Sequence, residues 1–175
     1  MALDYSYYGT ISDADTYFGY RLHEYVWNQS SATMKRNALI AATRLIDMLN
    51  YKGYKKAVND LPDSANDATV AAAYLSQPLE FPRGSMVGVS DSTVPNDVIR
   101  ACYEIAYSLL SGKDPEQELE NIQVASQAYD RVRTAYDRGQ LPLENVINMI
   151  PSVIAYNLLL PYLKDSNTIG LARIS

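Results

Sequence analysis

Cysteine, histidine, tryptophan and phenylalanine are all scarce in this chain of 175 residues, which holds one, one, one and two of them. A single cysteine excludes a disulfide within the chain, and one histidine beside it leaves too few ligands for a structural zinc site. No apolar run approaches the roughly 20 residues of a membrane-spanning helix. The N-terminus lacks the basic segment and apolar core of a signal peptide. We therefore expect a cytosolic origin and no membrane partner, metal or cofactor.

Acidic residues outnumber basic ones, with a formal net charge of −5. An acidic chain binds nucleic acid poorly, because phosphate binding relies on Lys and Arg that displace counterions. The hydrophobic fraction of 47% is enough for a core, and the length suits one domain. Tyrosine is abundant, with 15 copies. Because tyrosine joins an apolar face to a polar tip, it is enriched at protein interfaces.

Helical periodicity runs through most of the chain and predicts a mainly α fold, a helical bundle with extended N- and C-terminal arms. Within residues 36–49, Leu39, Ala42 and Leu45 or Ile46 form an apolar stripe that must be buried, so we predict the central helix there. The other predicted helices are residues 12–28, 68–77, 95–111, 116–120 and 152–163.

Four segments follow from this pattern: an N-terminal arm (1–11), a helical-bundle core (12–111), a strand-like segment with C-terminal helices (112–163) and a docking tail (164–175). In the arm, Tyr5, Tyr7 and Tyr8 lie without helical spacing, so we expect the arm to dock on a neighbouring subunit. Ser12 is the predicted cap of the first helix, with an acidic residue three positions later.

The segment Tyr51-Lys52-Gly53-Tyr54-Lys55-Lys56 is a basic patch interleaved with aromatics. In one interpretation it contacts single-stranded nucleic acid, with bases stacked on Tyr51 and Tyr54 and phosphates bound by Lys52, Lys55 and Lys56. In the other it is a solvated helix end, where lysines complement the helix dipole. We favour the second interpretation because the chain as a whole is acidic.

Residues 121–130 alternate Ile122, Val124 and Ala128 with polar residues, as an extended strand does. One strand cannot form a sheet within a single copy, so we expect it to pair with a strand of a neighbouring subunit. Residues 152–163 carry more apolar surface than one helix face needs, so we expect part of it to pack on a partner. The tail has too few apolar residues to fold alone, and we expect it to order on binding.

Catalytic residues are not evident. His23 has no nucleophile beside it, and Asp13, Asp15 and Glu24 are better explained by helix capping and solvation than by acid–base chemistry. Cys102 lies on an apolar helix stripe, which indicates an inert core thiol. We therefore expect no enzyme activity. Arg83, between Pro82 and Gly84, is predicted to hold a carboxylate or a helix end.

A set of motifs stands in order along residues 11–110. They are Ile11–Phe18, Trp27, Ala38–Asp47 followed by Gly53, Leu79–Gly84, and Val94-Pro95 leading to Ala101 and Glu104–Ala106. This set resembles the head–tail connector proteins of tailed bacteriophages, which are adaptor or head-completion proteins. Part of that group is labelled DnaT-like single-stranded DNA-binding protein. The connector family usually has Trp where Phe81 stands in this chain.

The resemblance implies a non-catalytic subunit of a ring, usually a dodecamer, beneath the portal vertex of the capsid. Such a ring extends the DNA channel, through which DNA passes without sequence recognition, and provides the platform for tail attachment. Expected partners are other copies of the chain, the portal protein, and a tail nozzle, tube or tail-completion protein. The expected location is the head–tail interface of the virion, after synthesis in the host cytoplasm.

The residues expected at interfaces lie in the arm, the strand-like segment, the last helix and the tail. They are Tyr5, Tyr7, Tyr8, Ile122, Val124, Tyr129, Tyr156, Tyr162, Ile169, Leu171, Arg173 and Ile174. A second hypothesis, a single-stranded DNA-binding protein of phage replication, rests on the family label and on the Tyr51–Lys56 patch.

Overall fold

The structure is a computed structural model that describes the backbone of residues 6–123, 126–129, 132–135 and 144–164, and the side chains of residues 6–120 and 144–164. The described chain is mainly helical, as predicted, with two short antiparallel strand pairs. Its helices are α1 (Ile11–Gly19), α2 (Tyr25–Gln29), α3 (Ala32–Asp47), α4 (Lys56–Asn59), α5 (Asp67–Ser76), α6 (Asn96–Leu110), α7 (Pro115–Gln123), α8 (Glu144–Ile147) and α9 (Val153–Leu159). Its strands are β1 (Tyr54–Lys55), β2 (Arg83–Gly84), β3 (Ser126–Tyr129) and β4 (Val132–Ala135).

The core is built around α3, the predicted central helix. Ser31 caps it, with its hydroxyl accepting a hydrogen bond from Met34 N at 3.3 Å, so the helix begins earlier than predicted. Leu39, Ala42 and Ile46 are fully buried, and α3 packs along α6. The predicted apolar stripe is therefore confirmed as the core face of this helix.

The second core helix, α6, lies between α3 and α9. Pro95 precedes its first turn, and Gly112 follows its last turn with a φ of 84°, which glycine adopts without strain. Val98, Ala101 and Cys102 are fully buried on its stripe. Small side chains at these positions allow the neighbouring helices to approach closely.

The first predicted helix, residues 12–28, is divided into α1 and α2. His23, between them, has a φ of 68°, in the left-handed region that an α-helix excludes. The structure also corrects the predicted cap at Ser12, because the hydroxyl of Thr10 accepts the hydrogen bond from Asp13 N at 3.1 Å. Helix α1 therefore begins at Ile11.

The strand-like segment forms a hairpin within its own chain. β3 and β4 pair antiparallel, with Gln127 opposite Thr134 and Ala128 opposite Arg133. The structure thus corrects the prediction that this strand lacks a partner within one copy: a neighbouring stretch of the same chain pairs with it, at a low cost in loop-closure entropy. Residues 121–123 belong to α7 rather than to the strand.

The C-terminal helix is shorter than predicted. Ser152 caps α9, accepting a hydrogen bond from Ala155 N at 3.3 Å, and the chain then tightens into a 3₁₀ turn, Leu160–Tyr162. Pro161 lies in that turn and cannot donate the hydrogen bond that would continue an α-helix. Within the described residues, no helix combines the length and apolar character needed to cross a membrane.

Candidate functional site

The segment from Tyr51 to Lys56, predicted as a basic aromatic patch, is a junction where distant parts of the chain meet. β1 pairs with β2, with Tyr54 opposite Gly84. Gly53 precedes β1 with a φ of 66°, and a Cβ on it would lie 2.1 Å from Gly84 O. Only glycine fits where these two backbone segments pass so closely. This close approach places the Tyr51–Lys56 junction against β2.

Two of the five predicted nucleic-acid contacts are buried in this junction. Tyr51 is 2% exposed and donates its hydroxyl hydrogen to Ile46 O at 2.8 Å. Lys55 is 5% exposed, and its Nζ donates to Gln77 O at 2.9 Å and lies 3.3 Å from the Glu80 carboxylate. Neither side chain is available to a nucleotide.

The other three side chains of the patch are at the surface, and two already have partners. Lys52 Nζ donates to Pro161 O at 3.1 Å, and Lys56 Nζ lies 3.0 Å from the Asp60 carboxylate. Tyr54 is 63% exposed. The patch therefore offers one exposed aromatic ring and two engaged lysines, so it is not a basic platform. It is not the predicted solvated helix end either, because α3 ends at Asp47 and both Tyr51 and Lys55 are buried.

Arg83 holds the junction together from β2. Its guanidinium is buried, pairs with the Glu80 carboxylate and donates to Lys52 O at 2.9 Å and to Gly53 O at 2.8 Å. These bonds satisfy carbonyls that the turn after α3 leaves without helical partners. Of the two roles predicted for Arg83, a carboxylate or a helix end, the structure confirms the carboxylate, which is that of Glu80.

Beside the Arg83–Glu80 ion pair, Tyr8 connects the N-terminal arm to α3. Its hydroxyl donates to the Asp47 carboxylate and accepts from Phe81 N at 3.1 Å, while Tyr8 N donates to Thr43 Oγ1 at 3.1 Å. Burial raises the pKa of Asp47 to about 6, against the opposing effect of its bond from Tyr8. Burial is also the main cause of the raised pKa of Tyr8, and the nearby charge of Asp47 raises this pKa further.

A cavity of about 270 Å³ opens beside the charged side chains of the junction. Asp47 and Glu80 on its wall are balanced by Lys55 and Arg83, so the wall is close to neutral. No nucleophile lies beside a base there. The remaining lining residues include exposed aromatic and basic side chains at the rim, namely Tyr54, Tyr74 and Lys164.

The C-terminal segment is attached to the same junction. Lys52 N donates to Tyr162 O at 2.9 Å, and Lys164 N donates to Asn50 O at 3.0 Å. Tyr51 and Leu163 form an antiparallel bridge. The junction therefore fixes Lys164, the first residue of the predicted docking tail (164–175); the rest of the tail lies outside the described residues.

Three tyrosines predicted at interfaces lie in the core of their own subunit. Tyr8 is 2% exposed, and Tyr156 and Tyr162 are 8% exposed. The rings of Tyr8 and Tyr162 both pack edge-on against Phe81. This is a correction for these three side chains, because the core of their own subunit buries them and a neighbouring subunit cannot reach them.

The other interface predictions remain untested. Tyr7 is half-buried against the core. The side chains of Ile122 and Tyr129 are outside the described residues, although their backbone lies in α7 and β3. Further predicted contacts outside the described residues are Tyr5, Val124, Ile169, Leu171, Arg173 and Ile174.

The structure places exposed apolar side chains at two points of the bundle surface. Leu22 is 83% exposed in the α1–α2 connection, and Val153 and Ile154 are 59% and 52% exposed at the start of α9. Tyr107 donates its hydroxyl hydrogen to His23 O, which holds the connection against α6. The exposure of Val153 and Ile154 agrees with the excess of apolar surface expected for residues 152–163. No signal in the sequence marks Leu22, because residues 12–28 have the periodicity of one continuous helix.

The side chains considered for catalysis have structural roles or stand apart. Asp15 accepts from Trp27 Nε1 and from Lys35 Nζ, both at 2.7 Å. Cys102 is fully buried, and burial raises the pKa of its thiol to about 12, which suppresses the thiolate. The described residues contain no group of three metal-ligating side chains. Asp13 and Glu24 are near helix starts.

Comparison with protein families identifies one match, described as "Putative DnaT-like ssDNA binding protein", which covers residues 3–174. The chain belongs to this family. The match spans nearly the whole length, so the fold described above is that of a DnaT-like family member. No curated protein and no solved structure matches the chain.

Proposed function

We propose that this DnaT-like family member is a structural virion protein, a subunit of the head–tail adaptor ring of a tailed bacteriophage. In this role it binds beneath the portal, extends the DNA channel and provides the platform for tail attachment. The motif order along residues 11–110 supports the proposal, because it resembles that of the connector proteins. Catalysis has no part in this role.

The observation that carries the proposal is the outward-facing apolar surface of an acidic protein. Leu22, Val153 and Ile154 are large and more than half exposed. Large exposed apolar side chains of this kind are typical of protein–protein contacts, whereas a nucleic-acid surface carries Lys and Arg. At the Tyr51–Lys56 junction, in contrast, most of the positive charge is bound to carboxylates or carbonyls of the same chain.

The experiment is co-assembly with the cognate portal protein, measured by native mass spectrometry. We expect a stoichiometric complex with a ring of this chain. Deletion of residues 165–175 retains Lys164, which closes the junction, so the bundle should stay folded. Loss of attachment to portal or tail by this variant supports the docking role of the tail, and normal attachment contradicts it. Failure of the full chain to bind the portal contradicts the adaptor function.

The second candidate function is single-stranded DNA binding, which the family's description favours. One structural feature agrees with it: Tyr54 and Tyr74 are 63% and 50% exposed and line the same cavity as Lys164. Bases could stack on the two rings while lysines contact the phosphates. In this candidate function, Lys164 rather than the predicted Lys55 is the phosphate contact, because Lys55 is buried.

This function is tested by binding to a fluorescent oligonucleotide over a range of salt concentrations. The variant K52E/K164E with Tyr54→Ala should abolish binding, and Arg100→Glu, an exposed charge on α6, is the matched control. A wild-type protein without salt-dependent binding contradicts this function.

A further inference from the structure

Helix α5 is an apolar helix that the described part of the chain leaves largely uncovered. It begins at a good cap, where Asn66 Oδ1 accepts from Thr69 N at 2.9 Å, and none of its side chains is buried. Leu75 and Tyr74 are 69% and 50% exposed. With Val70 and Ala71 they form a stripe at helical spacing along one shallow groove of about 450 Å³, which we name the α5 stripe.

This arrangement is physically incomplete for a single subunit. Helices shorter than about 12 residues are marginal in water without tertiary packing, and α5 has 10 residues. An apolar helix normally faces a core. Asp67 is the single charged residue of α5, so a nucleic acid or another charged ligand finds little to bind. The partner that fits is a protein groove that offers apolar side chains.

The same chain presents elsewhere a groove whose lining combines apolar side chains with polar and charged ones. It has a volume of about 310 Å³ and lies between the α1–α2 connection, α6 and α9, and we name it the α6–α9 groove. Val153 and Ile154 supply exposed apolar side chains, and Tyr107 forms part of the wall. Arg21, which pairs with Glu104, also lines it. This groove is made by other elements than α5, so the two surfaces are distinct.

Charge also differs in sign between the two surfaces. Asp63 and Asp67 are exposed near the start of α5, and neither has an ion-pair partner among the described residues. The α6–α9 groove includes Lys113, whose Nζ donates to Pro151 O at 3.2 Å and leaves its positive charge unpaired within the described residues. An acidic helix start therefore complements a basic groove edge.

We infer that the α5 stripe of one copy of the chain docks in the α6–α9 groove of a second copy. The contact is heterologous, because each subunit uses one surface toward each of its two neighbours. Repetition of a heterologous contact closes into a ring when the rotation permits. The inference rests on the proposed ring-forming function and specifies which surfaces form the ring.

The test uses two exposed positions and one matched control, all outside the core. Leu75→Glu disrupts the α5 stripe, Ile154→Glu disrupts the α6–α9 groove, and Val87→Glu changes a fully exposed loop residue outside both surfaces. In analytical ultracentrifugation we expect wild type and Val87→Glu to form rings, and each surface variant to be monomeric with an unchanged far-ultraviolet spectrum.

Mixing the two surface variants distinguishes a heterologous contact from a symmetric one. Leu75→Glu keeps an intact groove and Ile154→Glu keeps an intact α5 stripe, so an equimolar mixture should form dimers and no larger species. A mixture that remains monomeric, a monomeric wild type, or Leu75→Glu that assembles like wild type overturns the inference.

A crosslinking measurement covers the case in which an assembly variant misfolds. Leu75→Cys and Val153→Cys, mixed under mild oxidation, should give a disulfide between the two variants, and little between identical copies. The native Cys102 is buried and does not interfere. Crosslinks between identical copies alone overturn the inference. If Leu75→Glu and Ile154→Glu still form a ring that binds the portal, the adaptor function stands and only this contact is refuted.

Discussion

Replacement of Asp47 by Asn should change how the stability of the protein depends on pH. Burial raises the pKa of Asp47 from 3.8 to about 6 in the folded protein. The folded state therefore holds this proton more tightly than the unfolded chain, and the resulting stabilisation is present at low pH and lost as pH rises through about 6. At about 1.36 kcal/mol per pKa unit, the difference corresponds to about 3 kcal/mol.

The variant Asp47→Asn keeps a neutral acceptor for the Tyr8 hydroxyl and for Glu80 N. Its free energy of unfolding, relative to wild type, should therefore rise between pH 4 and pH 7 by up to about 3 kcal/mol. Urea denaturation followed by circular dichroism at several pH values measures this difference. Asp63→Asn, at an exposed loop position, is the control and should track wild type. A difference that stays constant or falls as pH rises would refute the reasoning.

Three further predictions concern the buried contacts of the bundle. Tyr8→Phe removes the donor to Asp47 and leaves Phe81 N without its acceptor, so it should lower the free energy of unfolding by about 1–3 kcal/mol in urea denaturation. Arg83→Met removes one of the two cationic partners of Glu80 and the donors to Lys52 O and Gly53 O, so it should cost about 1–3 kcal/mol in the same assay. Cys102 should react with a thiol reagent only when the protein unfolds, because it is buried and its pKa is raised to about 12.

The two substitutions, Tyr8→Phe and Arg83→Met, each have a matched comparison. Tyr7→Phe, at a half-buried ring, and Arg100→Met, at an exposed guanidinium, should each stay within about 0.5 kcal/mol of wild type. If Tyr8→Phe or Arg83→Met behaves like its control, the contact in question contributes little to stability. Rapid labelling of the folded protein would contradict the burial of Cys102.

The helical part of the fold follows from local sequence signals. The stripes of α3 and α6 are determined by residues three and four positions apart, so periodicity alone identifies Leu39 and Val98 as core residues. Ser12 was a reasonable cap from its spacing, yet Thr10 two residues earlier makes the bond. Competing caps this close together cannot be ranked from composition.

The features that sequence reasoning missed depend on residues far apart in the chain. The burial of Tyr8 requires Asp47 and Phe81, and that of Lys55 requires Glu80. Periodicity does not report such contacts, so a tyrosine in an irregular arm and a lysine in a basic run both resembled surface residues. Periodicity also does not report the exposure of α5. An apolar helix is normally expected in the core, and only the positions of distant segments decide whether it is covered.

The most direct test of the adaptor function is the mass of the purified protein, alone and mixed with its cognate portal, by native mass spectrometry or light scattering. The proposed function predicts a closed ring or a stoichiometric complex with the portal. A protein that remains monomeric, ignores the portal and binds single-stranded DNA with a marked salt dependence would contradict the adaptor function and establish the second candidate.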